Sequence, residues 1–257
     1  MYIDTHSHLY EEEFREDREE VVMRAGEAGV RYIILPDIDS RSRPRMLMLC
    51  RQYPDMMFPL LGIHPTSVDG DYRDELKKME KEAGLRSFYG IGECGIDLHW
   101  DKTFYREQIK VFEHQLGIAG ELNLPVVIHS RDSLDFTLKF LRQYPYVRGI
   151  FHCFPGDERQ AREAIAMGFL LGIGGVVTFK NSRMARVVGE TGCSHLVLET
   201  DAPYLSPVPF RGKRNESGYI PLIAKKIAEI TGEELNKIEE VTTRNAMNLF
   251  NLHSENV

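Results

Sequence analysis

The chain opens Tyr2-Ile3-Asp4-Thr5-His6-Ser7-His8, a β-favouring run that ends in two histidines two residues apart. Residues two apart on a strand point to the same face, so His6 and His8 present their imidazoles side by side. Imidazole is the commonest metal-binding side chain, although one His-x-His pair is also what two polar residues at a strand exit look like. The recurrence of such endings gives the pair its meaning. Gly90-Ile91-Gly92-Glu93 closes another apolar run on a carboxylate, Val126-Val127-Ile128-His129 and Gly149-Ile150-Phe151-His152 close on histidines, and Leu198-Glu199-Thr200-Asp201 closes on an aspartate. Together these donors exceed the roughly three protein ligands of one catalytic metal. Shared between two divalent ions the count works, with Glu93 as the bridge. Imidazole and carboxylate together suit zinc, manganese, iron or nickel, with magnesium admissible at a more watery second position. Two such ions about 3.5–4 Å apart activate a water between them and clamp the attacking and leaving oxygens of an ester. Asp201 is the natural general base toward that water, and Glu93 is the second residue assigned to the chemistry.

These donors need a scaffold that brings distant strand ends together. Short apolar runs recur near Tyr2–Thr5, Tyr32–Leu35, Met57–Gly62, Phe88–Glu93, Val126–His129, Arg148–His152, Phe169–Ile173 and Leu196–Glu199. Helical periodicity fills the gaps. Tyr105, Ile109, Phe112, Leu116 and Ala119 make an apolar stripe within 103–122. Further helices are expected over 11–28, 133–143, 157–167 and 183–189, along the Ile220, Ile223, Ile227 and Ile230 stripe, and over 242–251. Strands alternating with helices predict parallel pairing with right-handed crossovers. Eight such units predict a closed (β/α)8 barrel of the TIM type, spanning residues 1–257 as one domain. Its catalytic face lies at the carboxyl ends of the strands, where the donors sit. No Gly-x-Gly-x-x-Gly follows the first strand, which argues against a dinucleotide-binding sheet.

Composition narrows the class. The chain has 257 residues, 42% hydrophobic and 28% charged, as in soluble globular proteins. No apolar run reaches the ~18 residues of a membrane span, and the first residues lack a signal-peptide pattern, so the cytoplasm is the expected compartment and a monomer the expected state. Cys50, Cys94, Cys153 and Cys193 are widely spaced with no Cys-x-x-Cys, the pattern of reduced thiols. A net charge of −7 excludes a broad nucleic-acid coat but not an enzyme that grips a strand end with a few local cations.

Such cations exist. Phe210-Arg211-Gly212-Lys213-Arg214-Asn215 concentrates positive charge after the last strand, where barrel enzymes frequently bind phosphate. Arg211, Lys213 and Asn215 are therefore expected at the substrate, as are His64 after the third strand and Arg131 just past His129. Trp100 and Tyr204 are candidates for stacking on a base. Glu199 is a candidate partner that orients a ligand histidine. His99, His114, His195 and His253 have no comparable context and are expected at the surface.

The ordered set Asp4-Thr5-His6-Ser7-His8, Gly62-Ile63-His64-Pro65, Gly92-Glu93-Cys94-Gly95-Ile96-Asp97, His129-Ser130-Arg131-Asp132, His152-Cys153-Phe154 and Glu199-Thr200-Asp201-Ala202-Pro203-Tyr204-Leu205 resembles the TatD family of metal-dependent deoxyribonucleases, among the amidohydrolase-like barrels. The resemblance covers essentially the whole chain. It implies a (β/α)8 barrel with two divalent ions that hydrolyses phosphodiester bonds of DNA ends, typically 3′ to 5′. It also implies one metal on His6, His8, Glu93 and Asp201, and the other on Glu93, His129 and His152. The family pattern carries proline where this chain has Ser217. The competing readings are a small-molecule amidohydrolase acting on a cyclic amide, lactone or D-aminoacyl ester, and a binding protein that kept the barrel without catalysis.

Overall fold

The computed structural model describes residues 1–85 and 87–252. Strands β1 (Tyr2–Asp4), β2 (Val30–Leu35), β3 (Met57–Pro59), β4 (Ile91–Asp97), β5 (Val126–Arg131), β6 (Gly149–Phe151), β7 (Leu170–Ile173) and β8 (Leu196–Leu198) follow one another with helices between them. The helices are α1 (Arg18–Glu27), α2 (Arg43–Gln52), α3 (Tyr72–Leu85), α4 (Tyr105–Glu121), α5 (Leu134–Leu141), α6 (Glu158–Ala166), α7 (Arg183–Thr191), α8 (Ile220–Thr231) and α9 (Leu235–Phe250). All strand pairs are parallel, in one arc of β1-β2-β3 and another of β4-β5-β6-β7-β8. Two seams join the arcs. Leu61 bridges to Ile91 and Ser7 to Ala202, and Thr5 N–H donates to Leu198 O at 2.9 Å. The result is the expected TIM-type α/β barrel.

Parallel strands covered on both faces read as near-continuous apolar runs, and period-two alternation divides their side chains between two cores. Ile3, Ile34, Leu60, Val127, Ile150 and Val197 form the inner cluster, with Ala246, Leu249 and Phe250 of α9 packed against them. α9 closes the amino end of the barrel. Thr243 Oγ1 donates to Met1 O, and Asn245 Nδ2 donates to Ser194 O and Leu196 O. The alternate residues Ile33, Leu35, Val126 and Ile128 pack outward with the helices. Cys50, Cys94 and Cys193 are buried, Cys153 is half-buried, and all are free. Among the described residues no helix is long and apolar enough to cross a membrane.

Element boundaries differ from the sequence reading where a tertiary contact overrides local pattern. The helix expected over 11–28 begins only at Arg18, after a 3-10 turn at Glu12–Phe14. The Arg18 guanidinium donates to the carbonyls of Leu9, Tyr10 and Glu11, holding that stretch out of helix. α2 does not stand out because its apolar residues Met46 to Cys50 form one unbroken run rather than a helical stripe, and α3 because it buries only Tyr72 and Met79. α9 begins at Leu235, not at residue 242. Glu93 does not end β4, which runs on to Asp97 past a register irregularity between Ile91 and Cys94.

Candidate metal centre

The β4 irregularity aims Glu93. A bulge re-directs the side chain that follows it, and here neighbouring backbone pins it: Glu93 N–H donates to Asp37 O, Asp37 N–H to Gly92 O, and Gly92 N–H to Leu61 O, each at 2.9 Å. Gly62 makes this approach possible, because a Cβ there would lie 2.5 Å from the Gly92 carbonyl carbon. Across the other seam the buried Asp4 carboxylate accepts from Thr200 N–H at 2.9 Å and Thr200 Oγ1 at 2.6 Å. Asp201 N–H then donates to His6 O, and His8 N–H to Ala202 O. Ser7 bridges to Ala202 past β1, and His6 and His8 on either side of it bring their Nε2 atoms to 3.2 Å. His129 lies within β5, and His152 follows β6 with its N–H on Ile128 O.

The six donors converge, with His64, in overlapping groups: His6, His8 and Glu93; His6, His152 and Asp201; and His64, Glu93 and His129. His6 Nε2 is 3.2 Å from His8 Nε2, 3.1 Å from Glu93 Oε2 and 3.8 Å from Asp201 Oδ1. His8 Nε2 is 3.6 Å from both of those oxygens. The other glutamate oxygen, Oε1, is 2.8 Å from His129 Nδ1, 3.4 Å from His64 Nε2 and 3.8 Å from His152 Nε2. His152 Nε2 is also 3.8 Å from Asp201 Oδ2. A cation about 2.0–2.2 Å from each ligand spaces neighbouring ligand atoms about 2.8–3.6 Å apart, close to what is seen. The donor types fit divalent transition metals, and His6 Nδ1 is buried without a hydrogen-bond partner. His64, expected at the substrate, lines the cavity and also stands among the donors.

Hydrogen bonds orient the imidazoles. Tyr10 O–H donates to Pro36 O at 2.6 Å, so its oxygen must accept at the 2.9 Å contact with His8 Nδ1. His8 is thereby fixed as the Nδ1–H tautomer with the Nε2 lone pair facing the site. Asp97 Oδ2 accepts from His129 Nε2 at 2.9 Å, turning Nδ1 toward Glu93. Glu199 Oε1 accepts the Cys153 N–H and lies 3.2 Å from His152 Nδ1, a close approach that makes no hydrogen bond. Room for that buried carboxylate comes from Gly172, where a Cβ would lie 2.3 Å from Glu199 Oε2. Such outer partners fix ligand orientation and basicity. Asp97 and Tyr10 escaped the sequence reading. The signal for Asp97 was present, since Glu93, Gly95 and Asp97 share a face at period two.

Burial and mutual repulsion lower the pKa of His6 and, further, of His8, which keeps both neutral and ligand-competent. Burial pushes the Glu93 carboxyl up, but His64, His6 and His152 around it hold it well below the usual range. Burial pushes His129 down, and its hydrogen bonds to Asp97 and Glu93 overcome this to about 9. Burial raises Asp201 to about 7 against the opposing pull of His152.

A cavity of about 690 Å³ opens above the donors, walled by Ile38, Thr66, Trp100, Arg131, Tyr204 and Leu205 among others. His64 and Arg131 thus join the centre, whereas Arg211, Lys213 and Asn215 do not line it. Asn215 is fully buried; its Nδ2 donates to Thr200 O and Tyr204 O, so it braces the loop that carries Asp201. Arg211 lies over the Phe179 ring at 4.4 Å, and Arg214 is bidentate to Asp17. Ser217 is buried with its hydroxyl 3.5 Å from Ser7 Oγ. His99 and His195 are exposed, His114 sits 2.8 Å from Glu80, and His253 lies outside the described residues.

Comparison with known proteins agrees with this geometry. The family model "TatD related DNase" matches residues 3–251. The uncharacterized metal-dependent hydrolase YabD of Bacillus subtilis is 38% identical over 256 residues, covering 98% of this chain and all of the relative. A Pectobacterium parmentieri protein named 3′-5′ ssDNA/RNA exonuclease TatD is 32% identical over 254 residues, covering 95% of this chain and 97% of its own. The crystal structure of YJJV, a TatD homolog from Escherichia coli K12, superposes with a TM-score of 0.92 at 28% identity over 98% of each chain.

Proposed function

This chain belongs to the TatD-related DNase family and is a metal-dependent hydrolase; from that premise we propose that its ester is the phosphodiester of DNA, cleaved 3′ to 5′ from a single-stranded or frayed end. The observation that carries the two-ion reading is Glu93, whose two oxygens each complete a separate donor group. His6, His8, Glu93 and Asp201 would hold one ion, and Glu93, His129, His152 and His64 the other. Divalent ions in these positions supply Lewis acidity, polarising the phosphoryl oxygen and making water a nucleophile at neutral pH.

The chain's own residues do the rest. Asp201 faces the cavity with its side chain 15% exposed and takes the proton of the attacking water. Glu93 holds the two donor groups in fixed relation, so the attacking water and the phosphorus meet in line with little rearrangement. Arg131 on the cavity wall binds phosphoryl oxygens. Lys213, exposed on the loop beyond the rim, contacts a phosphate further along the strand.

The test is to load purified protein with Mg²⁺, Mn²⁺ or Zn²⁺ and offer 3′- and 5′-labelled single-stranded DNA beside cyclic amides, lactones and D-aminoacyl esters. Stepwise shortening from the 3′ end is expected, abolished by chelation. Asp201→Asn should lower kcat about 10²–10⁴-fold with the circular dichroism spectrum unchanged. Turnover of an amide or lactone with DNA left intact would overturn the nuclease reading, and an Asp201→Asn variant as fast as the parent would remove the assigned base.

A further inference from the structure

Trp100 is the only tryptophan in the chain and is 70% exposed. A ring this open gains little from burial, yet its backbone is held. Asp97 Oδ1 accepts from His99 N–H at 2.9 Å and Trp100 N–H at 3.2 Å, while Oδ2 of the same carboxylate accepts from His129. One side chain thus anchors both an imidazole of the metal centre and the tryptophan at the cavity wall. The His99 ring meets the indole edge-on at 5.1 Å. The Arg131 guanidinium lies over the indole face, 5.1 Å from its centroid. Among the described residues Arg131 has no acidic partner, so its charge stays available. Tyr204, 52% exposed, lines the same cavity beside the donors.

We propose that the free face of Trp100 is a stacking platform for one unpaired base of the substrate, with Arg131, packed on the other face, binding that nucleotide's phosphate. This deepens the nuclease reading and rests on it. Stacking accepts any base, because every base has a π-face, and it requires a base not already stacked within a duplex. The platform therefore selects unpaired ends without selecting sequence.

A single tryptophan makes the test direct. Metal-loaded Asp201→Asn protein is titrated with a fluorescein-labelled single-stranded oligonucleotide while anisotropy reports binding and tryptophan emission reports stacking. A series with one abasic site at each of the last three nucleotides locates the stacked base. Emission is expected to fall in parallel with binding, and the fall should vanish for one abasic position. In the otherwise wild-type enzyme, Trp100→Ala should raise KM on single-stranded ends about tenfold with kcat little changed. Trp100→Phe should recover most of the loss, and Trp100→Ala should cost nothing on the abasic substrate that silenced the emission. DNA that binds and is cleaved while emission stays constant overturns the platform and leaves the nuclease reading standing. So does an equal penalty of Trp100→Ala on intact and abasic ends. Failure to bind or cleave any DNA, with an amide or lactone turned over, overturns both.

Discussion

At the scale of single residues, the centre depends on groups that never touch an ion. Tyr10 fixes the tautomer of His8 and Asp97 that of His129. Asp97→Ala is therefore expected to weaken metal binding about 10–100-fold, measured by calorimetric titration with Mn²⁺; unchanged affinity would leave Asp97 with only its loop-anchoring role. The donors themselves were legible because His, Glu and Asp at the ends of apolar runs are chemically conspicuous. Their orienting partners were less so, because Tyr10 and Asp97 look like any tyrosine or aspartate until a hydrogen bond gives them direction. The residue type of His64 is plain in the sequence, but its 3.4 Å approach to Glu93 belongs to the fold.

Elements set the tolerances. Gly62 sits where β3 leads toward the β4 bulge, and an added methyl would meet Gly92 and Glu93 backbone. Gly62→Ala should cost about 1–3 kcal/mol in urea denaturation, as overpacking does, and should weaken metal binding by moving Glu93. Gly117, inside α4 with no atom beyond its chain neighbours and its own helix backbone within 4 Å of where an added methyl would sit, provides the contrast: Gly117→Ala should stabilise by roughly 0.5–1 kcal/mol. Opposite signs for the two substitutions would establish that backbone approach at the bulge, not glycine content, is what matters. The loop after β8 divides similarly. Arg214 is committed to Asp17 and Asn215 to the backbone, leaving Lys213 free to meet substrate. Lys213→Ala should reduce the slope of log affinity for DNA against log salt by about 0.7, and an unchanged slope would place Lys213 off the strand's path. A cluster of cations was visible in the sequence; which of them were already paired was not.

Across the whole molecule, the donors come from both arcs of the barrel. His6, His8 and His64 follow β1 and β3, while Glu93, His129, His152 and Asp201 come from the arc that runs from β4 to β8. Ions held among them would cross-link the two arcs, which would couple metal binding to folding. Free metal at a hundredfold over Kd should add about 2.7 kcal/mol, or roughly 5–10 °C in Tm at about 2–4 °C per kcal/mol for a chain of this size. Thermal scans with metal and with excess chelator check this, and coincident transitions would rule out the cross-link. Affinity should weaken as pH falls, because ligand imidazoles must lose their protons, and His129 in particular is raised to about 9 by Asp97 and Glu93. Titration in buffers of different ionisation enthalpy measures the protons released.

The alternation of strands and helices (α2 and α3 apart), the parallel barrel and the candidate donors were legible within the linear chain. Hydrophobic periodicity and residue chemistry are local properties, and the rule that sites lie at strand carboxyl ends converts them into a location. Which oxygen of Glu93 faces which histidines, which imidazole nitrogen is bare, and which cations remain unpaired were decided only by tertiary structure. Those are matters of distance and direction between residues far apart in sequence, and they arise when the two arcs meet around the bulge at Glu93.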